Sequence, residues 1–166
     1  MVTLKKTAEE QLRVLFTEHS SPPLEVIIPI LETAKRGERE LAAQEYETST
    51  GLAKGIIRIL GLKDKDMKTL SKVVGTVFRF GGQELQPVER SDSRFSFFIT
   101  DCPMLHVGKD VSQNVKNKFC DLLCTSGSKA LMDAVLGKDA GTCTWDKALI
   151  KGATKCVVVF DLVKTG

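Results

Sequence analysis

The feature that most constrains the fold of this chain is a change in hydrophobic spacing at Gly81 and Gly82. Before these glycines, apolar residues recur every three or four positions, which is the spacing of one face of an α-helix. After them, Phe95, Phe97 and Ile99 stand two positions apart, which is the spacing of one face of a β-strand. The sequence therefore predicts helices first and strands only in the second half.

The first two predicted helices are separated by a proline-containing break. Thr7 and Glu10 have the spacing of a capping box, in which the N-cap residue and the third helical residue exchange hydrogen bonds. The break covers residues 20–23, S-S-P-P. The second helix is predicted over residues 24–35, with its regular part starting near Pro29, because proline fits the first turn and obstructs later turns.

Two more helices are predicted before the change in spacing. The third covers residues 38–60 and is expected to be interrupted at residues 49–51, where the sequence is S-T-G. The fourth starts after Asp64 or Asp66, because aspartate is a favoured N-cap residue, and ends at Gly81. The front half of the chain is therefore predicted to be helical.

The second half is predicted to contain two pairs of strands with helices between them. A strand over residues 84–89 carries Pro87, which favours an edge position, and it pairs with the Phe95 strand as an antiparallel hairpin. Four further elements are predicted: a helix starting at Asp110 or Ser112, a helix from Ser126 or Ser128 to residue 136, and strands over residues 142–150 and 155–163.

This order of elements predicts the fold class. It lacks the regular strand–helix–strand alternation that builds a doubly wound parallel sheet. The chain is therefore expected to be α+β, with an antiparallel sheet of about four strands and helices packed on one face. A single domain is expected over residues 1–166, in which residues 1–62 form a helical N-terminal region and residues 63–166 form an α+β core.

Charge and hydropathy exclude several classes of function. The 24 basic and 21 acidic residues leave a net charge of +3, and the lysines are scattered instead of forming a stripe along which a phosphate backbone could bind. No nucleic-acid partner is expected. The N-terminal M-V-T-L-K-K lacks the apolar core of a signal peptide, and no apolar run approaches the roughly 20 residues of a membrane span. A cytoplasmic protein without a membrane partner is expected.

The five cysteines all lie within the last 65 residues, and reduced thiols are expected in a chain without an export signal. Cys102 ends the Phe95 strand, and Pro103 after it suits the first position of a helical turn. The positive end of such a turn lowers a thiol pKa. Cys102 is therefore a candidate nucleophile, with His106 as its base. A packed cysteine beside a surface histidine is the simpler alternative.

Metal binding is a second interpretation of the cysteines. Cys120 and Cys124 stand four positions apart on one face of a predicted helix, where they could bind zinc or could simply be packed. A zinc site would combine Cys102, one of these two, and Cys143 or Cys156. Because the sequence has no C-x-x-C pair, such a site would have to be built from separate elements.

An apolar ligand pocket is a third interpretation. Trp145 is the only tryptophan, and it could line a pocket with Phe97 and its neighbours or belong to an ordinary core. The glycines form no phosphate-binding or dinucleotide motif, and the sequence contains no G-x-S-x-G. ATP, NAD and serine-hydrolase functions therefore have no support in the sequence.

Residues 70–162 resemble a superfamily of small-molecule-binding proteins. The shared pattern is a helix, a Gly-Gly step, a hairpin ending in F-I-T-D-C-P, a helix with Cys124, and a closing strand G-A-T-K-C-V-V-V-F. The superfamily includes 4-vinyl reductase domains, Bet-type transport-particle subunits and L-2-amino-thiazoline-4-carboxylic acid hydrolases. The hydrolase group is the most similar, through Cys102 with its proline, Cys124, and the spacing of Gly152 and Cys156.

The resemblance implies an α/β sandwich, often dimeric, with an apolar pocket between sheet and helices. Several sensors of the 4-vinyl reductase type hold a cysteine-bound zinc beside an aromatic or hydrocarbon ligand, which would make Cys102, Cys124 and Cys156 zinc ligands here. Those sensors have a further cysteine shortly before the final one. In this chain residues 147–150 are K-A-L-I, and Cys143 lies thirteen residues before Cys156.

Three functional hypotheses follow. The leading one is a homodimeric domain that binds or senses a small, mostly apolar molecule, with Phe97, Trp145 and Cys102 in the pocket wall. The second, implied by the hydrolase relatives, is hydrolysis of a small amide or cyclic amidine by Cys102 with His106, or by a cysteine-bound metal. The third is a non-catalytic dimeric adaptor with its interface at residues 24–31.

Overall fold

The structure is a computed structural model that describes residues 7–33, 35–146 and 148–163. Its helices are α1 (Ala8–Glu18), α2 (Leu24–Thr33), α3 (Lys35–Leu60), α4 (Met67–Phe80), α5 (Gln113–Lys118) and α6 (Thr125–Leu136). Its strands are β1 (Leu85–Arg90), β2 (Arg94–Ile99), β3 (Gly141–Asp146) and β4 (Cys156–Leu162). A π-helical segment, Phe119–Cys124, joins α5 to α6, and 3₁₀ turns occupy Pro103–Leu105 and Leu149–Lys151.

The four strands form one antiparallel sheet in the order β1-β2-β4-β3. Phe97 of β2 lies opposite Val158 of β4, and Val158 lies opposite Trp145 of β3. β1 and β3 are therefore the two edges. The predicted α+β class and its antiparallel sheet of four strands are confirmed.

Alternate residues of the two central strands are buried on the face that packs against the helices. They are Phe95, Phe97, Ile99, Cys156, Val158 and Phe160. Buried residues of α1, α3, α4 and α6 belong to the same hydrophobic core. Helices α1, α3 and α4 therefore pack against the core of the sheet instead of forming a core of their own.

The start of α1 follows the sequence prediction, whereas the start of α2 does not. Glu10 N–H donates to Thr7 Oγ1 (3.3 Å), and Thr7 N–H donates to Glu10 Oε2 (2.7 Å), so the capping box is confirmed. α2 begins at Leu24 and contains Pro29 in its interior, so the predicted start near Pro29 is wrong. The predicted end at residue 35 extends past residue 34, which lies outside the described residues.

Burial explains why α2 tolerates its proline. A proline in a helix interior costs about 3 kcal/mol, because it removes one backbone hydrogen bond and crowds the preceding turn. Ile27 and Leu31 are 3% and 0% exposed in a second hydrophobic cluster with Leu41, Val115 and Leu123. Burying two such side chains gains roughly 3–6 kcal/mol, which exceeds the cost of the proline.

The interruption predicted at residues 49–51 is absent, because α3 continues from Lys35 to Leu60. Ser49 Oγ donates to Glu45 Oε1 (3.0 Å) and Thr50 Oγ1 donates to Tyr46 O (2.8 Å), so both hydroxyls are satisfied within the helix. A side chain at Gly51 would collide with the ring of His19. These three residues therefore serve helix packing instead of ending the helix.

Boundaries in the second half also differ in part from the prediction. The predicted caps Asp66 and Ser112 are confirmed, with Thr69 N–H donating to Asp66 Oδ1 (2.7 Å) and Val115 N–H to Ser112 Oγ (3.3 Å). The two predicted helices that follow Ser112 are joined through the π-helical segment, since residues 113–126 contain no proline or glycine. The strand predicted over residues 142–150 ends at Asp146; residue 147 is not described, and a 3₁₀ turn follows.

Candidate functional site

Cys102 lies at the point where the chain leaves β2. Its backbone N–H donates to the Asp101 carboxylate (2.9 Å), and its carbonyl accepts from Leu105 N–H (2.9 Å), which closes the 3₁₀ turn. The Cys102 side chain is only 6% exposed and belongs to the main core. The end of β2 therefore directs this thiol to the interior of the protein.

Three other cysteines approach Cys102 in the interior. Cys120 and Cys124 are hydrogen-bonded to each other on the π-helical segment. A charge on Cys120 would oppose ionisation of both Cys102 and Cys156, so these side chains lie within electrostatic range of one another. Cys156 Sγ also accepts from Leu149 N–H (3.2 Å). We call Cys102, Cys120, Cys124 and Cys156 the thiol cluster.

The environment of the thiol cluster disfavours thiolates. Desolvation by burial raises the pKa of Cys102 to about 11, against a weaker opposing effect of the Met104 backbone N–H. The hydrogen bond with Cys120 raises the pKa of Cys124 well above its ordinary value, and burial acts in the same direction. The prediction of a lowered pKa at Cys102 is therefore wrong. The turn after Cys102 has three residues and a correspondingly small dipole, so burial dominates.

His106 faces Asp101 instead of the Cys102 thiol. His106 Nε2 lies 2.6 Å from Asp101 Oδ1, and both side chains are exposed. This hydrogen bond holds the pKa of Asp101 below its ordinary value. A base-activated nucleophile needs its base within hydrogen-bonding reach of the thiol. The assignment of Cys102 and His106 as catalytic residues stays a prediction to which this geometry adds no support.

The predicted zinc ligands Cys102, Cys124 and Cys156 all belong to the thiol cluster. Zinc is bound by deprotonated thiolates at tetrahedral positions, whereas the pKa of each of these thiols is raised. Over residues 7–33, 35–146 and 148–163, no group of three or more His, Cys, Asp or Glu side chains is arranged to hold a metal ion. The zinc site stays a prediction to which this arrangement adds no support.

Phe97 and Trp145 lie on the helix-covered face of the sheet, in one row on either side of Val158. About two strand spacings, roughly 10 Å, separate them. Phe97 is fully buried and packs against three other phenylalanine rings, with centroid distances of 5.1, 5.5 and 6.3 Å. Trp145 is half-buried, and its Nε1 donates to Ser128 Oγ of α6 (2.9 Å). Their role as pocket residues stays a prediction.

Five cavities found among the described residues are open to the surface. One lies between α2 and α3, and one of about 660 Å³ lies between the end of α4 and the start of β1, beside Gly75, Arg79 and Leu85. Phe97, Cys102 and Trp145 line none of the five. Phe97 and Cys102 are buried in the main core, so a ligand would bind beside them only after core side chains move.

Polar contacts made by residues of α3 were not predicted from the sequence. Tyr46 Oη donates to Asp133 Oδ2 (2.8 Å), and Asp133 also accepts from Lys129 Nζ (3.0 Å). Glu45 accepts from two serine hydroxyls (2.6 and 3.0 Å), and burial raises its pKa. Glu45 lies near enough to Cys124 to raise the pKa of that thiol slightly. The four-residue spacing of Glu45 and Ser49 was a usable signal for one of these contacts.

Comparison with known proteins identifies the fold. No protein-family model matches this chain, and no curated protein matches it. A solved structure does: a trafficking protein particle complex subunit 3 from Naegleria fowleri, covalently bound to palmitic acid. The TM-score is 0.58 and the identity 13%, over 94% of this chain and 97% of that chain. The Bet-type part of the predicted resemblance is therefore confirmed for the fold. The 4-vinyl reductase and hydrolase assignments have no support in this comparison.

The structure bears on the predictions about membrane and protein partners but does not test the predicted location. Within the described ranges, no helix is both long enough and apolar enough to cross a bilayer. A cytoplasmic location and a homodimer stay predictions. In the proposed interface at residues 24–31, Ile27 and Leu31 are buried inside the chain, whereas Val26 is 48% exposed. Only part of α2 is therefore available to a partner.

Proposed function

We propose that this chain is a binding subunit for one long acyl chain, held between sheet and helices beside the thiol cluster. The observation that carries the proposal is the match in fold, along nearly all of both chains, to a protein that is covalently bound to palmitic acid. A shared fold does not transfer a function by itself. The residues of the layer between sheet and helices must also suit an acyl chain.

The composition of this layer suits such a ligand. Phe97 and Val158 face it from the sheet, Cys102 lies at one end of β2, and Trp145 stands at the far side of the same row. Three methionines of the core, at most 1% exposed, can change conformation to make room: Met67, Met104 and Met132. Methionine has an unbranched, flexible side chain and is common in adaptable binding surfaces.

The free energy of burying the ligand is large enough to open the core. Each buried methylene contributes about 0.8 kcal/mol, so a chain with about ten buried methylenes gains roughly 8 kcal/mol. Moving one core side chain off its preferred rotamer costs about 0.5–1.5 kcal/mol. Several side chains can therefore be displaced at a net gain. The buried side chains of the core therefore do not prevent binding.

Mass spectrometry tests the proposal. The protein is incubated separately with palmitic acid and with a palmitoyl thioester, and native and denaturing spectra are compared. One acyl group per chain is expected in the native spectrum, and emission from the single tryptophan, Trp145, should change on binding. Absence of a bound acyl group with both reagents would contradict the proposal.

The denaturing spectrum decides whether the ligand is covalent. A thioester forms when the Cys102 sulfur bonds to the acyl carbonyl carbon and the donor thiol leaves with the Cys102 proton. The added mass would then persist on denaturation and disappear with hydroxylamine. Cys102→Ser should abolish it, whereas Cys143→Ser, a matched change at a cysteine outside the thiol cluster, should not. A mass seen only in the native spectrum indicates non-covalent binding.

A second candidate function is that of a non-catalytic subunit in a larger assembly. It is favoured by the nature of the structural neighbour, which is a subunit of a complex, and by the exposure of Val26 on α2. The two functions are compatible, because an acyl chain inside the fold leaves the outer surfaces free. Val26→Asp should then impair assembly without changing acyl binding in the mass-spectrometric assay.

Hydrolysis of a small amide or cyclic amidine remains a weaker alternative. It depends on Cys102 acting as a thiolate in every turnover, whereas one slow acylation does not, and burial raises the pKa of that thiol to about 11. The rate of alkylation by iodoacetamide at neutral pH measures this directly. We expect Cys102 to react more slowly than free cysteine; a faster reaction would restore the hydrolase hypothesis.

A further inference from the structure

The two edges of the sheet differ in how well they are protected from pairing with another strand. β1 carries Pro87 and a register shift between Pro87 and Glu89, and its end is charged. Proline, irregular pairing and charge are the devices that keep edge strands apart. β3, G-T-C-T-W-D, has no proline or register shift, and Asp146 is its only charged residue. Its Thr142 and Thr144 are exposed.

The hydrogen-bond pattern identifies which backbone groups of β3 are directed outward. Val163 N–H donates to Ala140 O (3.0 Å), one step before the first residue pair of the β3–β4 ladder. Hydrogen-bonded pairs alternate along an antiparallel ladder. The even-numbered residues of β3 therefore bond to β4, whereas Cys143 and Trp145 direct their N–H and C=O groups to the open edge. Among the described residues, β4 is the only strand paired with β3.

We infer that β3 pairs antiparallel with β3 of a second copy of this chain, about a two-fold axis at Thr144. An axis perpendicular to the sheet keeps the helices of both copies on the same side, so residues of the helix-covered face must oppose one another. Cys143 then lies opposite Trp145 of the second copy, and each such pair exchanges two backbone hydrogen bonds. Thr144 lies opposite its own copy in a non-hydrogen-bonded pair.

Charge and residue type favour this occupant and this register. Thr142 lies opposite Asp146 of the second copy, so each hydroxyl can donate to a carboxylate and the two carboxylates stay apart. A register centred on Cys143 would place Asp146 opposite Ala140, outside β3, without a hydrogen-bonding side chain. Threonine, with its β-branched side chain, also suits a paired strand. The sequence of β3 is thus complementary to itself, which argues for a second copy as the partner. The inference is independent of the proposed acyl ligand.

The register predicts which introduced thiols can form a disulfide. In a Cys143→Ser background, Thr144→Cys places two thiols opposite each other with Cα atoms about 4.5 Å apart, within the range of about 4.4–6.8 Å for disulfides. Thr142→Cys is on the same face of the same strand, but its copy lies four residues away, roughly 13 Å. Diamide, which takes up the two hydrogens as the disulfide forms, should cross-link the first variant only. Equal cross-linking of both variants, or of neither, would overturn the inference.

A charge substitution tests the same interface without oxidation. Light scattering should show a dimer of the unmodified chain. Thr144→Lys places like charges directly opposite and should weaken the dimer up to roughly fivefold, whereas Thr142→Lys faces Asp146 of the second copy and should not weaken it. Thermal unfolding verifies that both variants are folded. A chain that is monomeric at high micromolar concentration, or an equal loss of dimer in both variants, would overturn the inference.

Discussion

Helices α3 and α4 both have glycines in their interiors, but these glycines have different consequences. A Cβ at Gly51 of α3 would lie 2.6 Å from His19 Nδ1, and one at Gly55 would lie within 3.0 Å of three side-chain carbons of Leu15. A Cβ at Gly75 of α4 would meet nothing within 4 Å. The glycines of α3 therefore allow α1 to approach closely. Gly75 has no such function within the described residues and only weakens its helix.

Polar residues of α3 also contact other elements, whereas the charged residues of α4 are exposed. Glu45 and Tyr46 of α3 contact residues outside the helix, since Glu45 accepts from Ser21 and Tyr46 bonds to Asp133 of α6. α4 has a simple division, with Leu70 among its buried residues and Lys68 among its exposed ones. Helix α3, which contacts several elements, contains glycine and serine residues that would normally end a helix. Helix α4 has the ordinary division into a buried apolar face and an exposed polar face. Four predictions test this difference.

The largest effect is expected for Gly55→Ala. The added methyl group would overlap the Leu15 side chain, which is 5% exposed and has little room to move. We expect the free energy of unfolding to fall by about 1–3 kcal/mol, as for other overpacked cores, although alanine favours a helix. Urea unfolding measures this change. Leu15→Ala should remove most of the effect in the double variant, and a full effect there would contradict the explanation.

A smaller effect is expected for Tyr46→Phe, which removes the hydrogen bond to Asp133 between α3 and α6. The loss should be about 0.5–1.5 kcal/mol, the usual contribution of such a bond. The control is Thr76→Val on α4, where the only hydrogen bond of the hydroxyl among the described residues is to Lys72 O of its own helix (2.8 Å). That change should stay within about 0.5 kcal/mol. Equal losses of unfolding free energy in the two variants would show that the α3–α6 hydrogen bond contributes no more to stability than a hydroxyl bonded within its own helix.

Gly75→Ala should have the opposite sign to Gly55→Ala. The position is helical with open space beside it, so alanine should stabilise the chain by about 0.5–1 kcal/mol. An increase in the midpoint of thermal unfolding would confirm this. A decrease would mean that another part of the protein, or a partner, lies against Gly75.

The smallest effect is a pH dependence caused by Glu45. Burial raises the pKa of this carboxyl, with a weaker opposing effect of two serine hydrogen bonds. The folded chain therefore binds this proton more tightly than the unfolded chain. The resulting stability is complete below the ordinary glutamate pKa and is lost as pH rises through the raised value. Glu45→Gln should remove this loss in urea unfolding at a series of pH values. Glu47→Gln, at an exposed neighbour, should retain it; the reverse result would contradict the assignment.

The parts of the fold that were predicted correctly depend on local patterns. The capping box at Thr7, the caps at Asp66 and Ser112, and the alternation that starts at Phe95 involve residues at most a few positions apart. The errors occurred where contacts with residues far away in the sequence determine the local structure. Pro29 stays inside α2 because Ile27 and its neighbours are buried by other helices, which no local rule can anticipate.

The candidate site shows the same division. The sequence indicated that Cys120 and Cys124 share a helix face, and they are hydrogen-bonded to each other. It also indicated that a turn follows Cys102, but it gave the wrong direction for the pKa of that thiol, because the direction depends on burial. The neighbours Cys156 and Glu45 could not be assigned from spacing, since they come from β4 and α3.

The sequence by itself determined the order of elements, the α+β class and the buried face of β2, because hydrophobic spacing and capping act over a few residues. Only the tertiary structure decided which glycines separate helices, which thiols meet, and which edge of the sheet is open. These properties depend on contacts between residues far apart in the chain. Burial at those contacts changes pKa values and overrides local preferences, as at Cys102 and Pro29.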